Sequence, residues 1–322
     1  MKQQSAFVEK NKMLKGGLHC HTTRSDGQCT PEEVIRYHFK NGYDFLAITD
    51  HRLYNYKNFA PEVPITIIPG MEFDNTFEFG KGFRTFHTVC IGLEKVSGNG
   101  YEQDESFDSW EERKREDFQE YLDEFHRNGN MIFLCHPEWS STSARYFEDL
   151  KGIFAMEIWN SGCAMECGMD TDAAFWDEIL GQGKCIYGVA TDDGHALSHH
   201  CNGWVMVNAD NRVDAILEAL QNGAFYSSCG PEIYDFYVQD GKAIIECSPA
   251  SQVRFHCDMH PTRIVFAEDE AISHAEIDLK HDWSGEYKYI RATIIDKHGK
   301  YAWTNPIFLE TKKTNCLYNE DR

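Results

Sequence analysis

Residues 16–22 read GGLHCHT and residues 43–51 read YDFLAITDH, two short apolar runs that each end in or near histidine. Runs of about 4 to 8 apolar-rich residues suit buried strands. Six more follow: ITIIPGMEF (65–73), FHTVCIGL (86–93), MIFLCHPEW (131–139), GIFAMEIWN (152–160), KCIYGVATDDGH (184–195) and GWVMVNA (203–209). Helix signals lie between them. Thr30-Pro31-Glu32-Glu33 is a capping box with proline at the first helical position, and Gly42 closes that helix. Phe107, Trp110, Phe118, Tyr121, Leu122 and Phe125 recur at helical spacing in a charged segment that Gly129 ends. Asp210 precedes the stripe Val213, Ile216, Leu217 and Leu220, which stops at Gly223. Strand–helix alternation of this kind predicts an α/β domain built on a mainly parallel sheet or barrel.

After residue 230 the texture changes. EIYDFYVQDGKAIIEC (232–247), SQVRFHCD (251–258), TRIVFAED (262–269), EYKYIRATIIDKHGKYAWTN (286–305) and PIFLE (306–310) read as short strands joined by polar or Gly-containing turns. They predict a small antiparallel β-sandwich of about 90 residues. The boundary falls near Cys229-Gly230-Pro231, where Gly-Pro punctuates and no periodic segment crosses. The expected domains are therefore 1–229 and 230–322. No internal repeat or low-complexity tract is evident.

Composition narrows the function classes. The chain has 322 residues, 31 basic against 52 acidic, for a formal net charge of −21. That balance argues against a basic surface for nucleic-acid backbones and against docking on anionic membranes. No run of about 18 apolar residues marks a transmembrane helix. The first residues, MKQQSAFVEKNKML, lack the apolar stretch of a secretory signal, so a cytoplasmic location is expected. The 12 cysteines contain no CxxC pair and read as buried thiols rather than a disulfide framework.

The chemistry sits at the strand ends. His19 and His21 are two apart in an extended run, so both side chains share a face and Cys20 points away. Asp26 lies in the following SDG turn, His51 ends TDH, Glu72 ends the third run, in PGMEF, His87 lies in FHTVCIG and His136 ends FLCH. Asp193 and His195, again two apart, follow KCIYGVATD. A lone histidine near a strand is usually structural, but six histidines and three carboxylates clustered at strand ends reverse that expectation. Imidazole with carboxylate suits Zn, Mn or Fe. Nine candidates exceed one tetrahedral site and match two or three ions with solvent.

The segments LHCHTTRSDG, ITDH, GMEF, FHTVCIG, FLCHPEW and ATDDGH together resemble a PHP domain, of the polymerase and histidinol phosphatase superfamily, over roughly residues 14 to 229. The resemblance implies a distorted seven-stranded (β/α) TIM-like barrel with two or three divalent metals at its C-terminal face. It implies one ion held by His19, His21, Glu72 and Asp193, a second shared through Glu72 with His87 and His136, and a third held by Asp26, His51 and His195. The tail, with its KYAWTNPIF ending, resembles the β-sandwich of stand-alone bacterial PHP proteins.

The expected activity is metal-dependent hydrolysis of a small phosphorylated substrate. Three divalent ions against three carboxylates leave a net local charge of about plus three, enough to hold a phosphate dianion. Arg24 and Arg52 are candidates for further phosphate contacts, since a guanidinium fork matches phosphate oxygens. Asp192, next to Asp193, is a candidate proton donor, and Asp50 is expected to orient an imidazole. Trp139 and Asn160 are candidates for shaping the pocket. His38, His126, His199, His200 and the five histidines after residue 250 read as surface or packing residues, with His199 or His200 a weaker candidate for the pocket mouth. The alternative is a metal-dependent hydrolase of a carbamate or other non-phosphorus ester. Extended nucleic acid fits poorly, a non-catalytic binding module conflicts with the intact ligand set, and homo-oligomerisation is left open.

Overall fold

The computed structural model describes residues 4–5, 13–79, 82–108, 110–114, 117–169, 171–257, 263–279 and 287–309. They form a mixed α/β structure, rich in strands, with three sheets. In the six-stranded sheet the order is Tyr187–Thr191, Ile153–Asn160, Asn130–Leu134, Gly82–Gly92, Gly70–Phe79 and Trp110–Lys114. Its first three strands are mutually parallel, as the strand–helix alternation predicts. Gly70–Phe79 and Gly82–Gly92 are instead an antiparallel pair. Only two residues separate them, and parallel pairing would need a crossover of about a dozen.

A larger, ten-stranded sheet begins with Thr66–Ile67, Phe45–Leu46 and Met13–Gly17, which are parallel. It continues antiparallel through Trp204–Asn208 and Phe225–Ser228. Among the described residues the strands close no barrel. Two isolated parallel bridges, Cys20↔Gly194 and His51↔Glu72, join the ten-stranded and six-stranded sheets. Both bridges lie at residues flanking or belonging to the histidine and carboxylate set.

The helix Pro31–Lys40 has the expected capping box at Thr30 and Glu33. Val213–Gln221 buries Ile216, Leu217 and Leu220, as its stripe predicts. The long helix expected from Phe107 to Gly129 is a correction. Only Phe118–Arg127 is helical, while Trp110–Lys114 is a strand paired in parallel with Gly70–Phe79. Pairing with the exposed edge of the Gly70–Phe79 hairpin overrides the local helical spacing.

The described elements after residue 230 are all antiparallel strands. Ile233–Gln239, Lys242–Ala250 and Ile272–Asp278 form a four-stranded sheet with Gln4–Ser5. The others extend the ten-stranded sheet, because Tyr301–Thr304 pairs with Phe225–Ser228. Main-chain pairing thus runs straight across Gly230-Pro231. An apolar core of Phe236, Ile245, Val253, Phe255, Ile290 and Ile294 packs between strands of the two sheets. Ten cysteines are free thiols and seven of them are buried, as small hydrophobes would be, but Cys185 is disulfide-bonded, which corrects the expectation of thiols throughout. Among the described residues no helix is long and apolar enough to cross a membrane.

One ion pair ties the C-terminal strands to the earlier helices. Arg291 on Tyr289–Ile295 is fully buried and grips Asp177 of Ala173–Gly181, with Nε–Oδ1 at 2.7 Å and Nη2–Oδ2 at 2.5 Å. Its guanidinium lies 4.6 Å from the Trp176 ring centroid, and the Tyr289 hydroxyl donates to Asp177 at 3.0 Å. Burial alone would raise the Asp177 carboxyl, but Arg291 and His256 hold it below the usual carboxylate range. Replacing Asp177 with alanine leaves a buried guanidinium uncompensated. Urea unfolding of Asp177→Ala should lose about 3–5 kcal/mol; an unchanged midpoint would contradict this tie.

Candidate metal centre

Six strands from two sheets converge on one cleft. His19 and His21 follow Met13–Gly17, His51 follows Phe45–Leu46, and Glu72 lies on Gly70–Phe79. His87 lies on Gly82–Gly92, His136 follows Asn130–Leu134, and Asp193 and His195 follow Tyr187–Thr191. The hairpin register sets Glu72 opposite Val89 and Asp74 opposite His87, so Glu72 and His87 are diagonal neighbours on one face. His87 Nδ1 is 2.8 Å from Glu72 Oε1.

The innermost four are buried together. His21 Nε2 lies 3.0 Å from Glu72 Oε2 and 3.1 Å from Asp193 Oδ1. His19 Nε2 lies 3.3 Å from each of the same two oxygens, and 3.2 Å from His21 Nε2. Glu72 also reaches outward: His136 Nε2 is 3.6 Å from Oε1 and His51 Nδ1 is 3.2 Å from Oε2. On the solvent side Asp26 Oδ2 is 3.6 Å from His51 Nε2 and 3.4 Å from His195 Nε2. The nine residues expected from the sequence therefore form one continuous cluster.

A surrounding layer fixes these groups, and most of it was invisible in the sequence. Glu157 is fully buried, with Oε1 2.7 Å from His19 Nδ1 and 2.6 Å from the donating Thr191 hydroxyl. Its Oε2 accepts from the His136 amide at 2.8 Å and from Asn160 Nδ2 at 2.9 Å. Such a carboxylate fixes the tautomer of His19, proton on Nδ1, and turns Nε2 toward the cluster. The available signal was a single carboxylate in the apolar run GIFAMEIWN. Asn160 Nδ2 also donates to Asp193 Oδ2 at 3.1 Å, while its Oδ1 caps the helix Ser161–Cys167. His136 and Asp193 both take positive φ, 28° and 46°, and Arg52, next to His51, takes 54°. Three of the seven described non-glycine residues with positive φ thus lie at or beside the cluster, where they mark local backbone strain.

Other expected residues are engaged elsewhere. Asp50 accepts from the Thr22 amide at 2.7 Å and from the Ser25 hydroxyl at 2.9 Å, so it holds the Thr22–Ser25 turn rather than an imidazole. Arg24 pairs with Asp104 and contacts Asn55 at 3.4 Å. Arg52 Nη1 lies 2.5 and 2.6 Å from the Asp74 oxygens. Asp192 accepts the amides of Cys201, Asn202 and Gly203 at 2.6, 2.8 and 2.8 Å and faces away from the cleft. None of Arg24, Arg52 and Asp192 lines the cleft. Its volume is about 300 Å³, and beyond the cluster its walls are Trp139 and the Gly162–Cys167 face. The Trp139 ring packs 4.8 Å from His136 and 5.5 Å from His87.

These groups fit divalent cations. Glu72 Oε2, Asp193 Oδ1 and His51 Nδ1 are buried and, among the described residues, take part in no hydrogen bond of proper alignment. Their close approach to imidazole nitrogens is the arrangement of ligands sharing an ion. Burial opposes a charge on Glu72, yet His19, His87 and His51 hold its carboxyl well below the usual range. Burial likewise opposes a charged His21, but contacts with Asp193 and Glu72 push its imidazole up to about 10. Without a cation the cluster balances its charge by keeping protons, and metal binding displaces them.

A curated relative, a 5'-3' exoribonuclease of Haemophilus influenzae, is 34% identical over 86 residues, which is 26% of this chain and 30% of that protein. The match thus spans under a third of the relative's length. A crystal structure from Bacteroides vulgatus, described as a two-domain protein containing a predicted PHP-like metal-dependent phosphoesterase, superposes with a TM-score of 0.50. The superposition covers 95% of this chain and 98% of that one at 16% identity. A putative metal-dependent phosphoesterase from Bifidobacterium adolescentis is 12% identical, covering 58% of this chain and 89% of its own, with a TM-score of 0.37. The family model described as the PHP domain matches residues 17–288, most of the sequence, and the chain belongs to that family.

Proposed function

We propose that this protein is a phosphoesterase that uses two or three divalent ions, Mn, Fe or Zn, to hydrolyse a small phosphate ester. The observation that carries the reading is the convergence of His19 Nε2, His21 Nε2, Glu72 Oε2 and Asp193 Oδ1 on one buried point. These four would hold one ion, Glu72 with His87 and His136 a second, and Asp26 with His51 and His195 a third. Cations at such positions supply a nucleophile at neutral pH and neutralise charge on the phosphoryl oxygens.

The chain's own residues do the positioning. Glu157 keeps a proton on His19 Nδ1, and Asn160 fixes Asp193. Trp139 and the 162–167 face wall a cleft of about 300 Å³, the size for a small substrate. Among the described lining residues there is no Lys or Arg, while Asp26, Glu72, Glu166 and Asp193 are acidic. An anionic substrate is therefore repelled unless bound cations reverse the local sign. Arg24 and Arg52, already paired with Asp104 and Asp74, give no support to the phosphate contacts expected of them. Three amides occupying its oxygens make Asp192 a loop anchor in this reading, not a proton donor.

The parallel bridges around the cluster support reading the two sheets as a distorted barrel. The all-strand tail supports a C-terminal sandwich, and the cytoplasmic location stays part of the same proposal. A second reading, a short nucleotide phosphodiester, is favoured by the local similarity to the exoribonuclease.

A panel of an aryl phosphomonoester, a dinucleotide and an aryl carbamate, assayed with Mn²⁺, tests the proposal. Wild-type protein should hydrolyse a phosphate ester, and His21→Ala, with its fold checked by circular dichroism, should fall to background. Undiminished turnover in His21→Ala, or turnover of the carbamate alone, contradicts it. Glu157→Gln touches no proposed ion and should lower metal affinity or activity about 10- to 100-fold, read from Mn²⁺ activation curves. An unaltered curve would remove Glu157 from the account.

A further inference from the structure

We infer a separate buried cation site, of the zinc type, formed by His38, Asp192 and His200 behind the main cluster. The three come from different parts of the chain. His38 lies on the helix Pro31–Lys40, Asp192 directly follows the strand Tyr187–Thr191, and His200 lies in the loop that Asp192 gathers. All three are buried, at 1%, 2% and 2% exposure. Each offers a ligand atom within 4.8 Å of the other two.

Hydrogen bonding leaves a lone pair open on His38 and on Asp192. His38 Nδ1 is 2.8 Å from the Val34 carbonyl oxygen, an acceptor only, so Nδ1 carries the proton and Nε2 of the neutral ring presents a lone pair. That lone pair faces Asp192 Oδ2 at 3.6 Å. The separation is too long for a hydrogen bond. Two ligands about 2.0–2.1 Å from one tetrahedral ion sit about 3.3 Å apart, close to what is found. Asp192 Oδ1 takes two amides and Oδ2 takes one, which leaves a single Oδ2 lone pair on the side of His38.

His200 carries the strongest sign. Its two ring nitrogens are buried and, among the described residues, neither has a hydrogen-bond partner. A neutral imidazole with both nitrogens unpaired in the interior is costly. The His200 ring packs against His38, centroids 5.2 Å apart, and is held from behind by Gly194, where an added Cβ would come within 2.3 Å of Nδ1. The Lys15 ammonium attracts Asp192 electrostatically but makes its contacts elsewhere: it donates to the Asn41 carbonyl at 3.3 Å and lies over the rings of Tyr43 and Trp204. An ion at this point would staple the Pro31–Lys40 helix to the loop that presents His195. It is too enclosed for substrate, so its role is to hold that loop.

The test is metal content of the full chain, stripped with chelator, reloaded with Zn²⁺, and counted by mass spectrometry. His200→Asn and His38→Gln are each expected to carry one Zn²⁺ fewer per chain than wild type, while Glu72→Gln, which damages only the main cluster, keeps this ion. Having two variants guards against one that fails to fold. Full wild-type content in the folded His200→Asn or His38→Gln protein overturns the inference. Failure of the main cluster would show instead as wild-type content in Glu72→Gln, so the two proposals fail separately.

Discussion

Two buried carboxylate oxygens, Glu72 Oε2 and Asp193 Oδ1, impose the constraint on which the rest of the site depends. A carboxylate taken out of water is costly unless positive charge lies against it. Here the two come from different strands and meet over the same pair of imidazoles, at 3.0 to 3.3 Å. No tertiary packing force would bring two acidic groups to one buried point unaided. The sheet bridges at Cys20↔Gly194 and His51↔Glu72 hold the strand ends in place, and a shared cation would make the arrangement favourable.

Rigidity around that point follows from a layered set of contacts. Glu157 serves His19, the His136 amide, Asn160 and Thr191 at once, so one buried side chain orients three parts of the site. Asp50 and Asp192 perform similar duty on loops, the first holding the turn before Asp26 and the second the segment after His195. Positive φ at His136 and Asp193 shows that the backbone tolerates strain to aim these side chains. The formal charge of −21 includes the acidic residues of this cleft, whose local sign bound cations would reverse.

Much of this was legible in the sequence because strand geometry is periodic. Two-residue spacing put His19 with His21 on one face, and it distinguished Asp193 from Asp192. The roles of individual carboxylates and arginines were not legible. Arg24 and Arg52 looked free in the sequence, but their partners Asp104 and Asp74 are 80 and 22 residues away. Glu157 was hidden by the opposite problem, since an apolar strand gives no local hint that one buried carboxylate has four hydrogen-bond contacts. Trp110 followed a helical spacing but its segment became a strand, because the edge of a distant hairpin offered pairing that local propensity cannot report. The pairing of Phe225–Ser228 with Tyr301–Thr304 is likewise non-local, and it crosses the point at which turn signals divide the sequence.

The most direct measurement is anomalous X-ray diffraction from crystals of the full chain grown with Mn²⁺ or Zn²⁺. An anomalous peak is expected about 2.0–2.2 Å from His19 Nε2, His21 Nε2, Glu72 Oε2 and Asp193 Oδ1. No peak at that position under saturating metal, with Glu72 and Asp193 hydrogen-bonded to water or to each other, would contradict it.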